Sequence, residues 1–427
     1  MFLFGFVSFG EQSGVALVSL HPMQKKYFSR YKKPFIELPN LVETQVGSYQ
    51  WLMAEGLKTL FDEISPIEDY SAKKFELSFS DFEIGESKTD EFYAKDHRLT
   101  HEAPFRVKAK LKNKILNTEK EQEIFLADLP LMTAHGTFIV NGHERVIVSQ
   151  LTRSFGVSFT EQMLKEKKFF GAKIIPARGA WVEIESESDG TLSVHIDKKR
   201  KFPVFSLLRI FSGGKSDKDL FALFKDNPQA EASMRLSAEK DTAKTTDESY
   251  VEVYRRLRDG TLATAENAKE FIDSLFTAEK YDLSVVGRYR FNKLFKHGLG
   301  EKDLAKRTLT LQDIANVISQ VVTLNNTPEA IADDIDHLGI RRVRFVGEML
   351  QQRLRVGMTR MKRNIQNKMS TVGTDTTLPV QLLNPRPGLF PLLAVLLKAV
   401  SFQKHANAIY LQPCALISSK TYFPYRF

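Results

Sequence analysis

Apolar side chains return every three or four positions through Val343, Val346, Leu350, Leu354, Met358, Met361, Ile365 and Met369. This spacing predicts one long helix with a continuous apolar face. Its other face is basic: nine Lys and Arg fall between Arg341 and Lys368, against a single acidic residue, Glu348.

Residues 104–151 read as a sheet. Phe105, Val107, Ala109 and Leu111 alternate with Arg106, Lys108 and Lys110, the period of a half-buried strand. Thr137 to Val140 and Arg145 to Leu151 flank Asn141-Gly142, a strong signal for a hairpin turn. Residues 38–52 read as a short helix entered through Pro39 and Asn40. Residues 153–235 mix strands and short helices, and the polar, alanine-rich stretch 236–250 reads as a linker or loop. Residues 250–330 are mostly helical, with Val251, Tyr254 and Leu257 at helical spacing. Over 427 residues this points to two or three domains of mixed α+β class.

Lys and Arg number 61 against 52 Asp and Glu, a net charge of +9 that favours a polyanionic partner without requiring one. Cys414 is the only cysteine, so the chain can form neither an internal disulfide nor a cysteine-based zinc site. A reducing, cytoplasmic setting is expected. The apolar stretch 2–9 lacks a basic segment before it, and the run 389–397 is far short of the ~20 residues of a membrane span. No membrane partner is expected.

Catalytic motifs fail on inspection. Gly213-Gly214-Lys215-Ser216 ends like a phosphate-binding loop, but Arg209 stands where the loop's first glycine belongs. His143-Glu144 is followed by Ile147 where a zinc protease helix needs a second histidine. Asp333, Asp334 and Asp336 read either as magnesium ligands or as a solvated acidic turn, and the turn is favoured because no phosphate loop accompanies them. No catalytic residue and no metal site are expected.

Four ordered blocks carry a family resemblance: DLPLMTAHGTFIVNGHERVIVSQLTRS at 128–154; IIPARGAW at 174–181 with IDKKRKFP at 196–203; YDLSVVGRYRFN at 281–292; and DDIDHLGIRRVRFVGE at 333–348. Together they resemble the beta subunit of bacterial DNA-directed RNA polymerase, from about Met23 to Pro387. The resemblance implies a protrusion domain of sheet and long helix, residues 23–152 and 340–387, with an α/β lobe domain, residues 153–339, inserted into it. It also implies that residues 1–22 are an extra N-terminal segment, and that 388–427 are a non-family tail read in a shifted frame. Neighbouring reading frames are expected to hold the continuation after Pro387. Departures are Phe155 for the usual proline, Ile340 for asparagine, Asp259 for a proline, and a short lobe.

The resemblance assigns roles to particular residues. Arg145 and Gln150 are expected near the RNA–DNA hybrid and the rifamycin pocket; without the family they read as polar residues at a sheet edge. Arg153, Trp181, Ile335, Asp336 and Arg341 are expected to form a pocket for the displaced non-template strand. There Trp181 would stack on a base, Asp336 would accept from a guanine edge, the two arginines would donate, and Ile335 would wall the site. The plainer alternatives are a core tryptophan and an Asp336–Arg341 pair in a surface turn. Lys198, Lys199 and Arg200 read as a solvated turn or, by resemblance, as DNA phosphate contacts.

The function so implied is an N-terminal part of the polymerase beta subunit, lining the DNA cleft during transcription. It would belong to a nucleotidyltransferase while incorporating no nucleotides itself. Implied partners are DNA, the RNA–DNA hybrid, the alpha, beta-prime and omega subunits and sigma factor, in the cytoplasm at the nucleoid. The fragment itself would hold no cofactor; the enzyme's Mg²⁺ would be held by beta-prime. The alternatives are a free-standing nucleic-acid-binding protein and a polymerase-binding scaffold that does not touch DNA.

Overall fold

The computed structural model describes residues 40–164, 167–258, 264–372 and 378–383, and the backbone of 411–413. The expectations for residues 1–22 and Asp259, the two apolar runs and most of the tail lie outside them.

The chain opens with α1 (Glu43–Trp51), a π-turn over Leu52–Gly56 and α2 (Leu57–Ile64). Strands β1 (Ile67–Glu68) and β2 (Phe75–Ile84) follow, then the short α3 (Glu91–Asp96) and the long strands β3 (Glu102–Asn113) and β4 (Thr118–Pro130). β1 to β4 form an antiparallel meander in that order. On β3 the alternation holds as expected, with Phe105, Val107, Ala109 and Leu111 buried. β5 (Phe138–Val140) and β6 (His143–Ile147) make the expected hairpin. Both Asn141 and Gly142 have positive φ (50° and 79°), the condition of a two-residue turn that suits strand twist.

The strand expected from Arg145 to Leu151 is divided. β6 ends at Ile147, and β7 (Gln150–Arg153) pairs in a different sheet with β13 (Arg341–Arg344). Between these two lie an antiparallel sheet of β8 (Gly156–Leu164), β9 (Lys167–Ile175), β10 (Val182–Ser186), β11 (Leu192–Ile196) and β12 (Phe202–Pro203), and, among the described residues, eight α-helices. The helices are α4 (Val204–Ser212), α5 (Asp217–Ala222), α6 (Pro228–Lys240), α7 (Thr246–Leu257), α8 (Ala265–Leu275), α9 (Ser284–Leu294), α10 (Glu301–Leu304) and α11 (Leu311–Asn326). The loop expected over 236–250 is a correction. α6 runs to Lys240 and α7 starts at Thr246, behind a capping box of Thr245 and Glu248. Asp241, buried in the short connection, accepts from Ser206 Oγ at 2.7 Å.

The long helix is α12 (Val346–Thr371), followed by α13 (Pro379–Leu382). It begins three residues later than its periodicity suggested, because Val343 belongs to β13. The backbone of Leu411–Pro413 forms a last strand, β14, antiparallel to β6.

Apolar side chains sort into separate clusters. One lies between the β8–β12 sheet and its helices, including Val182, Val194, Phe205 and Ile318. A second joins α2, β2 to β4 and the buried stripe Leu354, Met358, Met361, Ile365 and Met369 of α12. A small third cluster holds Tyr49, Phe138, Ile147, Val346 and Met349. Gly347 makes the contact of α12 with α1 possible: its amide donates to Ser48 Oγ at 3.0 Å, and a Cβ there would lie 2.0 Å from the Ser48 carbonyl oxygen.

Candidate nucleic-acid interface

β7 and β13 form a two-stranded ribbon through which the chain enters and leaves the 156–338 segment. Register places Arg153 opposite Arg341, Thr152 opposite Arg342, Leu151 opposite Val343 and Gln150 opposite Arg344. The ladder continues with the Ser154 amide donating to the Ile340 carbonyl at 2.8 Å. Opposed residues share a face and neighbours alternate, so Arg153, Arg341, Leu151 and Val343 lie on one side. Leu151 and Val343 are exposed there.

The other side is held to the fold. Arg342 donates Nη1 to Glu348 Oε2 at 2.6 Å, pairs through Nη2 with the second carboxylate oxygen, and lays its guanidinium 4.1 Å from the centre of the Phe155 ring. Phe155 is thus the platform for Arg342, and its backbone carbonyl accepts from Arg290. Sequence reasoning marked Phe155 only as a departure and passed over Arg342. Their contact spans 187 positions, and no local pattern signals it.

The acidic turn before β13 is split among separate uses. Asp333 accepts from the Phe159 amide at 2.8 Å, Asp334 from the Asp336 amide at 2.9 Å, and Asp336 meets Arg341 Nη1 at 3.3 Å. The Asp336 side chain is 87% exposed, so this is a solvated pair worth little and easily exchanged. Among the described residues no group of three or more His, Cys, Asp or Glu side chains could hold a metal ion. Ile335, next in the turn, is also exposed. Arg153, by contrast, has no side-chain hydrogen bond or ion pair among the described residues.

Four of the five expected pocket residues therefore lie on one ribbon and its entry turn. Trp181 comes from another part of the chain, immediately before β10, with its amide donating to Asp197 Oδ1 at 2.8 Å. Asp197 and Lys198 both have positive φ and begin the turn that carries Lys199 and Arg200. The His195 ring meets the Lys199 carbonyl at 2.8 Å and closes that turn. So Trp181 is grouped with Lys198, Lys199 and Arg200, and no hydrogen bond or ion pair among the described residues joins it to Arg153, Asp336 or Arg341. Trp181 is partly exposed, not part of the core.

Arg145 and Gln150 fall on different sheets. Arg145 lies on β6 opposite Phe138, with a buried Nε that has no hydrogen-bond partner among the described residues, and Gln150 on β7 opposite Arg344. The rejected motifs have structural uses. Gly213 ends α4 with φ 65° and Ser216 caps α5, while Glu144 accepts from Lys95 and Thr137, both at 2.7 Å. Among the described residues no helix is long and apolar enough to cross a membrane.

Comparison with known proteins gives a consistent set of relatives. The family model for RNA polymerase Rpb2, domain 2, matches residues 145–344. The chain is 41% identical over 395 residues to the DNA-directed RNA polymerase subunit beta of Chloroflexus aggregans (strain MD-66 / DSM 9485), covering 86% of this chain and 32% of that protein. It is 37% identical over 450 residues to the same subunit of Lysinibacillus sphaericus (strain C3-41), covering 85% and 37%. The subunit from Syntrophomonas wolfei subsp. wolfei (strain DSM 2245B / Goettingen) is 41% identical over 362 residues, covering 84% and 32%. The chain spans about a third of the length of these curated relatives.

Proposed function

We propose that this chain is part of a bacterial DNA-directed RNA polymerase beta subunit, and that within such an enzyme it lines the DNA cleft and contacts the displaced non-template strand. In this reading residues 23–152 and 340–387 make the protrusion and 153–339 the lobe. The separate apolar clusters support that division. The partners are DNA, the RNA–DNA hybrid, the alpha, beta-prime and omega subunits and sigma factor, in the cytoplasm at the nucleoid. The parent enzyme is a nucleotidyltransferase whose magnesium belongs to beta-prime, and the residues of this chain bind and orient nucleic acid.

One observation carries the reading: Arg153 and Arg341 oppose each other on a ribbon face. Like charges directly opposed on two strands are unfavourable. An anion between them reverses that sign, and forked guanidinium groups suit phosphates and base edges. Asp336 can leave Arg341 to the nucleic acid and offer its carboxylate to the N–H groups of a splayed guanine. Trp181, with Lys198, Lys199 and Arg200 beside it, supplies a ring for stacking and cations for the backbone.

The test uses a complete polymerase carrying this sequence, on DNA bubbles that differ in one non-template base. Tighter binding to the guanine bubble, lost in Asp336→Ala, is the expected result. Equal behaviour of the unaltered enzyme on all four bases overturns the strand pocket.

A further inference from the structure

The apolar cluster of the 156–338 segment shares no residue with the other two. The segment joins the rest of the chain through the β7–β13 ribbon, a joint of only two strands, which alone is marginally stable. Glu63 on α2 gathers cations from both the 156–338 segment and α12. Arg178 of that segment donates Nη1 to Glu63 Oε1 at 2.7 Å. Arg355 of α12 donates Nε to Oε2 at 2.8 Å and Nη2 to Oε1 at 3.1 Å. All three side chains are about three-quarters buried, so the bridge is less screened than an open surface pair.

Both ends of the bridge are rigid. The Ala177 and Arg178 amides donate to the Asp282 carbonyl at 2.8 and 3.0 Å. Gly179, at φ 119°, sits so close to Tyr281 that a Cβ would lie 2.7 Å from the ring. On the other side, α2 is fixed by Leu57, Leu60, Phe61 and Ile64, all buried. A force on the Arg178 loop is therefore passed to Glu63 and not absorbed by either backbone.

We propose that Glu63 is an electrostatic latch that sets the angle of the 156–338 segment on its ribbon hinge, with Arg178 as the released arm and Arg355 as the anchor. With the carboxylate neutralised, the two guanidinium groups lose their shared acceptor and repel each other. The segment then swings about β7 and β13 while both apolar cores stay intact.

The test is a pulsed electron paramagnetic resonance distance between nitroxides on Glu121→Cys and Glu239→Cys, in the full chain with Cys414→Ser. The unaltered latch is expected to give one narrow distance distribution. Glu63→Gln and Arg178→Ala should each add the same second population, and the double variant should add no more than either alone. Arg178→Lys, which keeps the charge, should restore most of the narrow population. Unfolding midpoints report separately on the cores. An unchanged distribution in both single variants overturns the latch. So does broadening that appears only together with loss of the cooperative unfolding transition.

Discussion

Arg153 stands directly across the β7–β13 ribbon from Arg341, and among the described residues only Arg341 pairs with a carboxylate, that of Asp336. The arrangement is unfavourable to the free chain and favourable to a complex with an anion, so one substitution should move stability and binding in opposite directions. Arg153→Gln is expected to leave unfolding free energy unchanged or raise it by about 0.2–1 kcal/mol, the range of a cross-strand pair. It should also weaken binding of single-stranded DNA and lower the slope of log affinity against log salt by about 0.7 per lost phosphate contact. Denaturant unfolding and a salt titration with a labelled oligonucleotide read the two effects. A fall in stability would make Arg153 a structural residue.

The 156–338 segment contains its own polar keystone. Arg288 is buried and donates to Asp313 through Nη1 at 2.9 Å and Nη2 at 3.0 Å, and to the Lys306 and Thr308 carbonyls at 2.5 and 2.6 Å. Asp313 also caps α11 by accepting from the Thr310 amide at 2.9 Å. Arg288→Met leaves that carboxylate and two carbonyls without their donor. The expected cost is about 3–5 kcal/mol, the usual result of removing one partner of a buried ion pair. Arg288→Lys should recover only part of it, because an ammonium cannot match a planar fork. Thermal and denaturant unfolding of both variants measure the difference, and a cost for Arg288→Met below that of a surface substitution would contradict the keystone role.

What the sequence made legible was local. The Asn141-Gly142 turn and the alternation of β3 depend on a few neighbouring residues, and both stand as expected. Val343 was assigned to the long helix because it falls on the helical period. Its partner in β13 is Leu151, 192 positions earlier, and no window of sequence shows that pairing. Residues 236–250 looked like a loop because they are polar. Their order comes from caps and from the buried Asp241, which polarity alone does not reveal. The site divides in the same way. Arg153, Trp181, Ile335, Asp336 and Arg341 were singled out through the family resemblance, while the stack of Arg342 on Phe155 and the meeting of Glu63 with Arg178 are products of the tertiary fold.

The hairpin of β5 and β6 has a pH-dependent brace. Hydrogen bonds from Lys95 and then Thr137 hold the Glu144 carboxyl below its ordinary value of 4.5. A folded value below the unfolded one means the brace contributes fully above the unfolded value and is lost as pH falls through the folded one. Stability should therefore decline on acidification below about pH 4.5, and Glu144→Gln should flatten that part of the curve while lowering the neutral plateau. Unfolding measured from pH 7 to pH 3 compares the two. Parallel curves would show that Glu144 does not titrate with folding.

The last prediction concerns the meeting of α12 with α1, which sets where the ribbon leaves the core. Gly347 lies one residue into α12 and two positions after Phe345, itself next to the end of β13. Its amide donates to Ser48 Oγ at 3.0 Å, and the glycine's Cα faces the α1 backbone with no room for a side chain. An added methyl would sit 2.0 Å from the Ser48 carbonyl oxygen and 2.9 Å from its carbon. Backbone atoms cannot swing aside as a flexible side chain would, so the helices must separate. That separation loosens the small cluster of Tyr49, Phe138, Val346 and Met349. Overpacking of this kind costs about 1–3 kcal/mol. The helical propensity of alanine offsets at most about 1 kcal/mol. Gly347→Ala should therefore destabilise the chain, whereas an alanine in place of Gly47, which has nothing within 4 Å of its would-be Cβ, should stabilise α1. Denaturation of the two variants side by side separates the effects: if both alanines stabilise, the contact between α1 and α12 is looser than these distances require.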